Sequence, residues 1–220
     1  VVTDSHFSER DRLGRVLVPL MPDEPEVHGL LALMELQASR QAARVGPDGA
    51  PILLLAQNRA RWDRLLIQRG LAALARAEAL SASRGEALGP YALQGAIAAC
   101  HARATQAQAT DWPRIVALYD ALAELTGSPV VELNRAVAVS MAFGPEAALP
   151  LVDALADEPA LNGYHLLPTV RGDLLFKLGR LPEAPAEFER AVSLTRNVQE
   201  QRVLFERIGQ CQASGAGPLH

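Results

Sequence analysis

Apolar residues along this chain recur at spacings of three and four, the period of an α-helix, and long polar-apolar alternation is missing. Leu13, Val16, Leu17 and Leu20 trace one face and predict a helix from about Phe7 to Met21, which Pro22 ends. Leu30, Leu31, Met34 and Ala38 form the next buried stripe, which continues to about Arg44. Asp23 can cap that helix, with Pro25 in its first turn and Glu26 three residues on to complete a capping-box-like pattern. Gly46 to Pro51 is a turn by its chemistry, and Ile52 to Leu55 is too short for the pattern to assign. From about Arg59 to Leu80 the positions Trp62, Leu65, Leu66, Gly70, Ala73 and Leu74 have helical period. Ser81 to Pro90 carries Ser, Gly and Pro and reads as a linker, separating residues 1–85 from 86–220 unless the whole chain is one continuous domain.

The second half keeps a register of about 34 residues. In its last copy Gly172, Gly179, Ala184, Phe188 and Ala191 fall at offsets of 7, 5, 4 and 3, the small, small, small, large, small pattern of a tetratricopeptide repeat. Ile115, Tyr119 and Leu122 recur as Ala148, Val152 and Leu155, then as Ala184, Phe188 and Ala191, at shifts of 33 and 36 residues. The corners between helices have matching punctuation. Asp111 caps a helix with Pro113 in its first turn, Gly127 ends it, Ser128 and Pro129 start the next, and Gly144-Pro145 and Gly179 to Pro182 repeat the device. The expected fold is all-α: a tetratricopeptide-like solenoid of about three helical hairpins behind an amino-terminal helical cap.

Composition sharpens this. The chain is 49% hydrophobic but 5% aromatic, so burial rests on Ala, Leu and Val at close helix spacing. A net charge of -4 leaves no overall positive field for DNA or RNA. Arg59, Arg61, Arg64 and Arg69 are interrupted by Asp63 and Glu78 and read as a solvated face. Cys100 and Cys211 stand far apart, outside any CxxC spacing, which points to a reducing, cytoplasmic setting. No apolar run approaches the ~18 residues that span a bilayer, so no membrane contact is expected. The chain opens at Val1 with a polar stretch to Asp11, as expected of a piece cut from something longer.

Chemistry is sparse. The five histidines form no HExxH pair, and Cys100 and His101 point about 100° apart on a helix, so no metal or cofactor is expected. Ser83, Ser128, Ser140 and Ser193 lack a nucleophile elbow, and phosphate-binding glycine loops are missing, so no enzyme activity is expected. Binding is the natural use of such a scaffold. Gln94 and His101, seven apart on one helix, Asn134 on the next, and Arg171 or Lys177 on a third are the candidates to line a concave groove. Asn134 stands amid apolar neighbours and needs hydrogen-bond partners if buried.

Ordered strings add a resemblance over nearly the whole length: LGR at 13–15, MPDEPEV at 21–27, GLLALM at 29–34, RWDR at 61–64 and GPY at 89–91 with Gln94 and AIAA at 96–99. TDW at 110–112, LYD at 118–120 and, most specific, SPVVELNRAVA at 128–138 follow. Together they resemble the carboxy-terminal extension of extracytoplasmic-function sigma factors that carry tetratricopeptide-like repeats. The resemblance implies a regulatory part acting on transcription initiation by contacting protein: the sigma domains in cis, core RNA polymerase, or a small YCII-related partner. Ala56 and Asn58 flank Gln57 where that family has acidic residues, so no charge-dependent role is carried over to this stretch. A free-standing adaptor that clamps a peptide in its groove is the alternative.

Overall fold

The computed structural model describes residues 16–47, 49 and 51–215, and among them the chain is all-α, with only an isolated bridge between Val45 and Pro51 outside helices and turns. Residues 16–20 are helical; the rest of the helix expected from Phe7 lies outside the described residues. The chain divides into two compact units, with the boundary between Thr126 and Gly127. Of the stretch that reads as a linker, residues 81–84 are helical and residues 85–89 connect them to the next helix. Polar Ser81 and Ser83 belong to the last turns of a helix that ends at Arg84, where Gly85 takes the left-handed conformation (φ 68°).

The first unit contains α1 (Pro25–Ala38), α2 (Arg64–Arg84), α3 (Pro90–Arg103) and α4 (Trp112–Thr126). Helix α1 packs against both α2 and α3, and α4 packs on α3. The crossings are close because the residues there are small. A Cβ on Gly29 would lie 2.5 Å from the backbone nitrogen of Ala92, and one on Gly95 would lie 3.3 Å from the Gly29 carbonyl oxygen. Around this contact Ala32, Leu36, Trp62, Ile67, Leu74, Ala96 and Ala99 form the core.

Two capping expectations change. Glu24, not Asp23, occupies the N-cap of α1, and Asp23 instead meets Arg76 of α2 at 3.3 Å. Glu26 leaves its own helix end and caps α3, accepting from the backbone N–H groups of Tyr91 at 2.8 Å and Ala92 at 3.0 Å. A carboxylate at a helix start satisfies orphan donors and opposes the macrodipole. Gly89 makes room for it, since a Cβ there would sit 2.4 Å from the Glu26 Cδ. Asp63, an N-cap the pattern did not single out, accepts from Leu65 and Leu66 and starts α2 five residues after the expected point; Arg59–Arg61 is a separate 3-10 turn.

The second unit contains α5 (Pro129–Phe143), α6 (Pro145–Asp153), α7 (Leu166–Lys177), α8 (Ala184–Leu194) and α9 (Val198–Gly215). Each helix packs mainly on its neighbours in sequence, α5 on α6, α6 on α7, α7 on α8 and α8 on α9, a solenoid-like arrangement of helical hairpins. Most register positions of this unit are buried: Ala148, Val152, Ala184, Phe188 and Ala191 are all within 1% of complete burial, and Leu155 is half-buried. A Cβ on Gly172 would meet the Phe188 ring at 2.9 Å, which is why the small residue and the large one occur together. Gly127, Gly144 and Gly179 all have positive φ at helix ends, whereas Ser128 holds its N-cap position without a side-chain capping bond.

Substituting Gly29→Ala forces the α1–α3 crossing apart against backbone atoms, and the expected loss is about 1–3 kcal/mol of unfolding free energy. Urea denaturation followed by circular dichroism checks it; a change under about 0.5 kcal/mol contradicts the close approach.

Candidate functional site

Two of the five expected groove residues come together, and they do so in a partly open corner of the first unit. Gln94 and His101 lie on one face of α3, and opposite them α1 and the turn after it place Leu33, Gln37 and Arg40 at the same four-and-three spacing. Leu54, Ile97, Ala98 and Tyr119 complete a cavity of about 180 Å³. Both sides mix aliphatic side chains with polar ones, and the polar ones are an amide pair, a guanidinium, an imidazole and a phenol. No carboxylate lines it.

Behind the lining stands Arg59, which the sequence pattern placed on a solvated face. Its side chain is only 7% exposed and donates to the carbonyl oxygens of His101 and Ala104 (2.8 Å for the latter) and to Thr110 Oγ1 at 3.1 Å. Those carbonyls sit at the end of α3, where a cation satisfies unpaired acceptors and complements the helix dipole. Trp62 lies under two guanidiniums, with Arg59 Cζ 5.0 Å and Arg40 Cζ 5.8 Å from its ring centroid. Gln37 Oε1 accepts from both Arg40 and Arg44. Among the described residues no carboxylate forms an ion pair with Arg40.

His101 is 8% exposed, packs edge-on against Trp112 with ring centroids 5.3 Å apart, and keeps its Nδ1 without a hydrogen-bond partner. Burial first, then the charges of Arg40 and Arg59, push its pKa down to about 4, so the ring is neutral at pH 7. Burial also lowers Arg40 to about 10, helped by Arg44 and Arg59, and raises the Tyr119 phenol. Gln94 donates to the Pro90 carbonyl at 3.1 Å. The histidine and glutamine were legible from their seven-residue spacing. Arg40, Gln37 and Tyr119 were not, because their partners are distant in sequence and only the fold brings them to one corner.

The other three candidates lie in the second unit and do not converge. Asn134 is exposed on α5, so it has no buried amide to satisfy. Around it Val130, Val137 and Met141, each 37% exposed, share its helix face at spacings of four and three. Arg171 is spent as a tie: its Nε meets Asp153 at the end of α6 at 2.8 Å, and its Nη1 meets Glu187 of α8 at 2.6 Å. Lys177 pairs with Asp173 at 3.1 Å, and Arg207 of α9 also reaches Asp173 while covering the rings of Phe176 and Phe188. Arg171 and Arg207 hold helices together, whereas the Lys177 pair lies within α7. Among the described residues no group of three or more His, Cys, Asp and Glu side chains is placed to hold a metal, and no helix is long and apolar enough to cross a membrane.

Residues 1–78 match a family of unknown function, DUF6596. An uncharacterized protein of Rhizobium meliloti (strain 1021), R00370, is 48% identical over 208 residues, which cover 94% of this chain and 48% of that protein. The chain therefore spans about half the length of this curated relative. No solved structure matches.

The neutral buried His101 gives a signed pH dependence. The unfolded chain takes up a proton near pH 6.5 and the folded one only near 4, so this stability is complete above about 6.5 and is lost as pH falls toward 4. The loss approaches about 3 kcal/mol. Urea midpoints between pH 7 and 4.5 are expected to fall more steeply for the wild type than for His101→Gln; parallel curves contradict the assignment.

Proposed function

We propose that this chain is a regulatory interaction domain of an extracytoplasmic-function sigma factor, working in the cytoplasm through protein contacts and without a reaction of its own. The tetratricopeptide-like spacing and the ordered strings support it, above all SPVVELNRAVA at 128–138. A relative about twice the length of the matched region also supports it, since such a protein has room for promoter-melting and promoter-reading domains.

The observation that carries the proposal is what that string becomes. As the first part of α5 it buries Leu133, Ala136 and Ala138, while Val130, Asn134 and Val137, followed by Met141, stay accessible along one face. Two valines and a methionine in line with an amide form an apolar stripe with a polar centre. Such a stripe suits helix-face recognition by a protein better than capture of a nucleic acid, for which it offers no cation.

The test is a pull-down of the 220-residue chain with three baits: the separated sigma domains, core RNA polymerase and a YCII-related protein. Retention on at least one bait is expected, with Val137→Asp combined with Asn134→Ala weakening it at least about tenfold. Failure to retain any bait overturns the proposal. If a short peptide binds instead, in an Asn134-dependent way, the chain is a free-standing adaptor.

A further inference from the structure

The cavity in the first unit has no part in the proposed protein contacts, and its lining points to an occupant. It is a partly open space of about 180 Å³ between α1, α3 and α4. An aliphatic lining would leave such a space dry; here the lining is half polar, with one buried polar atom without a partner in it and a second behind Arg40. His101 lines it with Nδ1 unsatisfied, and Trp62, against the Arg40 guanidinium, has an unsatisfied Nε1. Buried polar groups without partners cost stability, so their joint presence beside one cavity points to an occupant.

Charge selects the occupant. Arg40 sits beside Arg59 and Arg44, shares a neutral amide oxygen with Arg44, and has no carboxylate partner among the described residues. The positive potential of these guanidiniums falls on a cavity without an acid in its lining. An anion there is stabilised by charge-assisted hydrogen bonds, strong in a partly dehydrated corner. A planar anion with two oxygens fits the guanidinium fork; Gln94, Tyr119 and neutral His101 each carry a group able to donate. Leu33, Leu54, Ile97 and Ala98 supply the apolar part of the lining.

We propose that this cavity is a binding site for a carboxylate on a short apolar body, with Arg40 as the anion anchor, Gln94, His101 and Tyr119 as neutral donors, and the aliphatic residues as the selector of the body. Its volume is close to that of a cavity that holds benzene, which limits the body to about six or seven carbons. The carboxylate belongs either to a free organic acid or to the carboxyl terminus of a protein segment. The chemistry is shared, and the two sources are separable. The inference does not depend on the sigma-factor proposal, because a carboxylate site in this unit stands or falls whatever the exposed face of α5 binds.

The chain carries its own reporters. Its two tryptophans are Trp62, beside Arg40, and Trp112, against His101. Benzoate and its neutral isostere benzamide are titrated into the full chain and followed by tryptophan fluorescence and calorimetry. A parallel arm uses a tripeptide ending in leucine, with a free or an amidated carboxyl terminus.

The expected result is saturable binding of benzoate or of the free-acid peptide, at least about tenfold tighter than its neutral twin, reflecting a charged hydrogen bond. Arg40→Gln is expected to abolish that preference while Arg40→Lys keeps part of it. Preference for the peptide acid assigns the site to a protein terminus, and preference for benzoate with the peptide excluded assigns it to a free acid. Equal binding of charged and neutral twins overturns the proposal, as does no binding of either acid at about 50 mM, well beyond the millimolar range of weak ligands. If Arg40→Gln does not fold, the wild-type comparison of each acid with its neutral twin decides alone. An undiminished preference in a folded Arg40→Gln also overturns it.

Discussion

Close approach of helices is the constraint on which this molecule rests. With 5% aromatic residues, the chain cannot fill wide gaps between helices, so it removes the gaps by placing glycine and alanine at the crossings. Gly29 against Ala92 and Gly172 against Phe188 are two versions of one solution, backbone against backbone in the first unit and backbone against ring in the second. In both, a missing Cβ lets a neighbour enter, and the conformational entropy lost by an ordered glycine is offset by contacts that no other residue permits. Helix ends then become crowded, which explains why Glu26 can serve α3 from another helix and why Gly89 must be small to accept it.

Charges follow from the same constraint. Helices this close bury the polar groups at their ends, and buried carbonyls need donors. Arg59 meets that need at the end of α3, and Arg171 ties α7 to acidic residues on α6 and α8. The two arginines differ in one respect. Arg171 has two carboxylates, so its charge is neutralised within the fold. Among the described residues the acceptors of Arg59 are neutral, so its positive charge persists and acts on Arg40 and His101. An uncompensated cation held by carbonyls is what gives the first unit an electropositive corner in a chain of net charge -4.

Much of the fold was legible because it is periodic. The register through Ala148, Val152, Ala184, Phe188 and Ala191 marked buried positions, and Gly127, Gly144 and Gly179 marked corners, since both signals are local in sequence. What failed was non-local. Ser81 and Ser83 look like linker residues, yet they lie on a helix; Ser81 is buried there, and the Ser83 hydroxyl bonds back to the Leu80 carbonyl. Arg59 looks exposed among arginines until Thr110, fifty-one residues away, proves to be its partner. The apolar neighbours of Asn134 leave its burial open, and the helix turns it outward with Val137. Helical period tells which residues share a face, and composition then has to say which face is inside; a face as mixed as that of α5 does not.

The same distinction explains why the cavity was only half visible. Gln94 and His101 share a face of α3, so spacing could pair them, but nothing in α3 says what stands opposite. The opposite wall comes from the end of α1, where the helix stops at Ala38 and the following turn carries Arg40 back over Trp62. If α1 had continued to Arg44 as its apolar stripe suggested, Arg40 would have stayed in the regular progression of the helix instead of in the turn that brings it over that ring. The break thus positions the cation, and Gln37, in the last full turn before it, fixes Arg40 and Arg44 by one amide oxygen. A helix that ends early looks like a defect in the periodic pattern. Here it is the step that turns a close helix crossing into a cavity with chemistry.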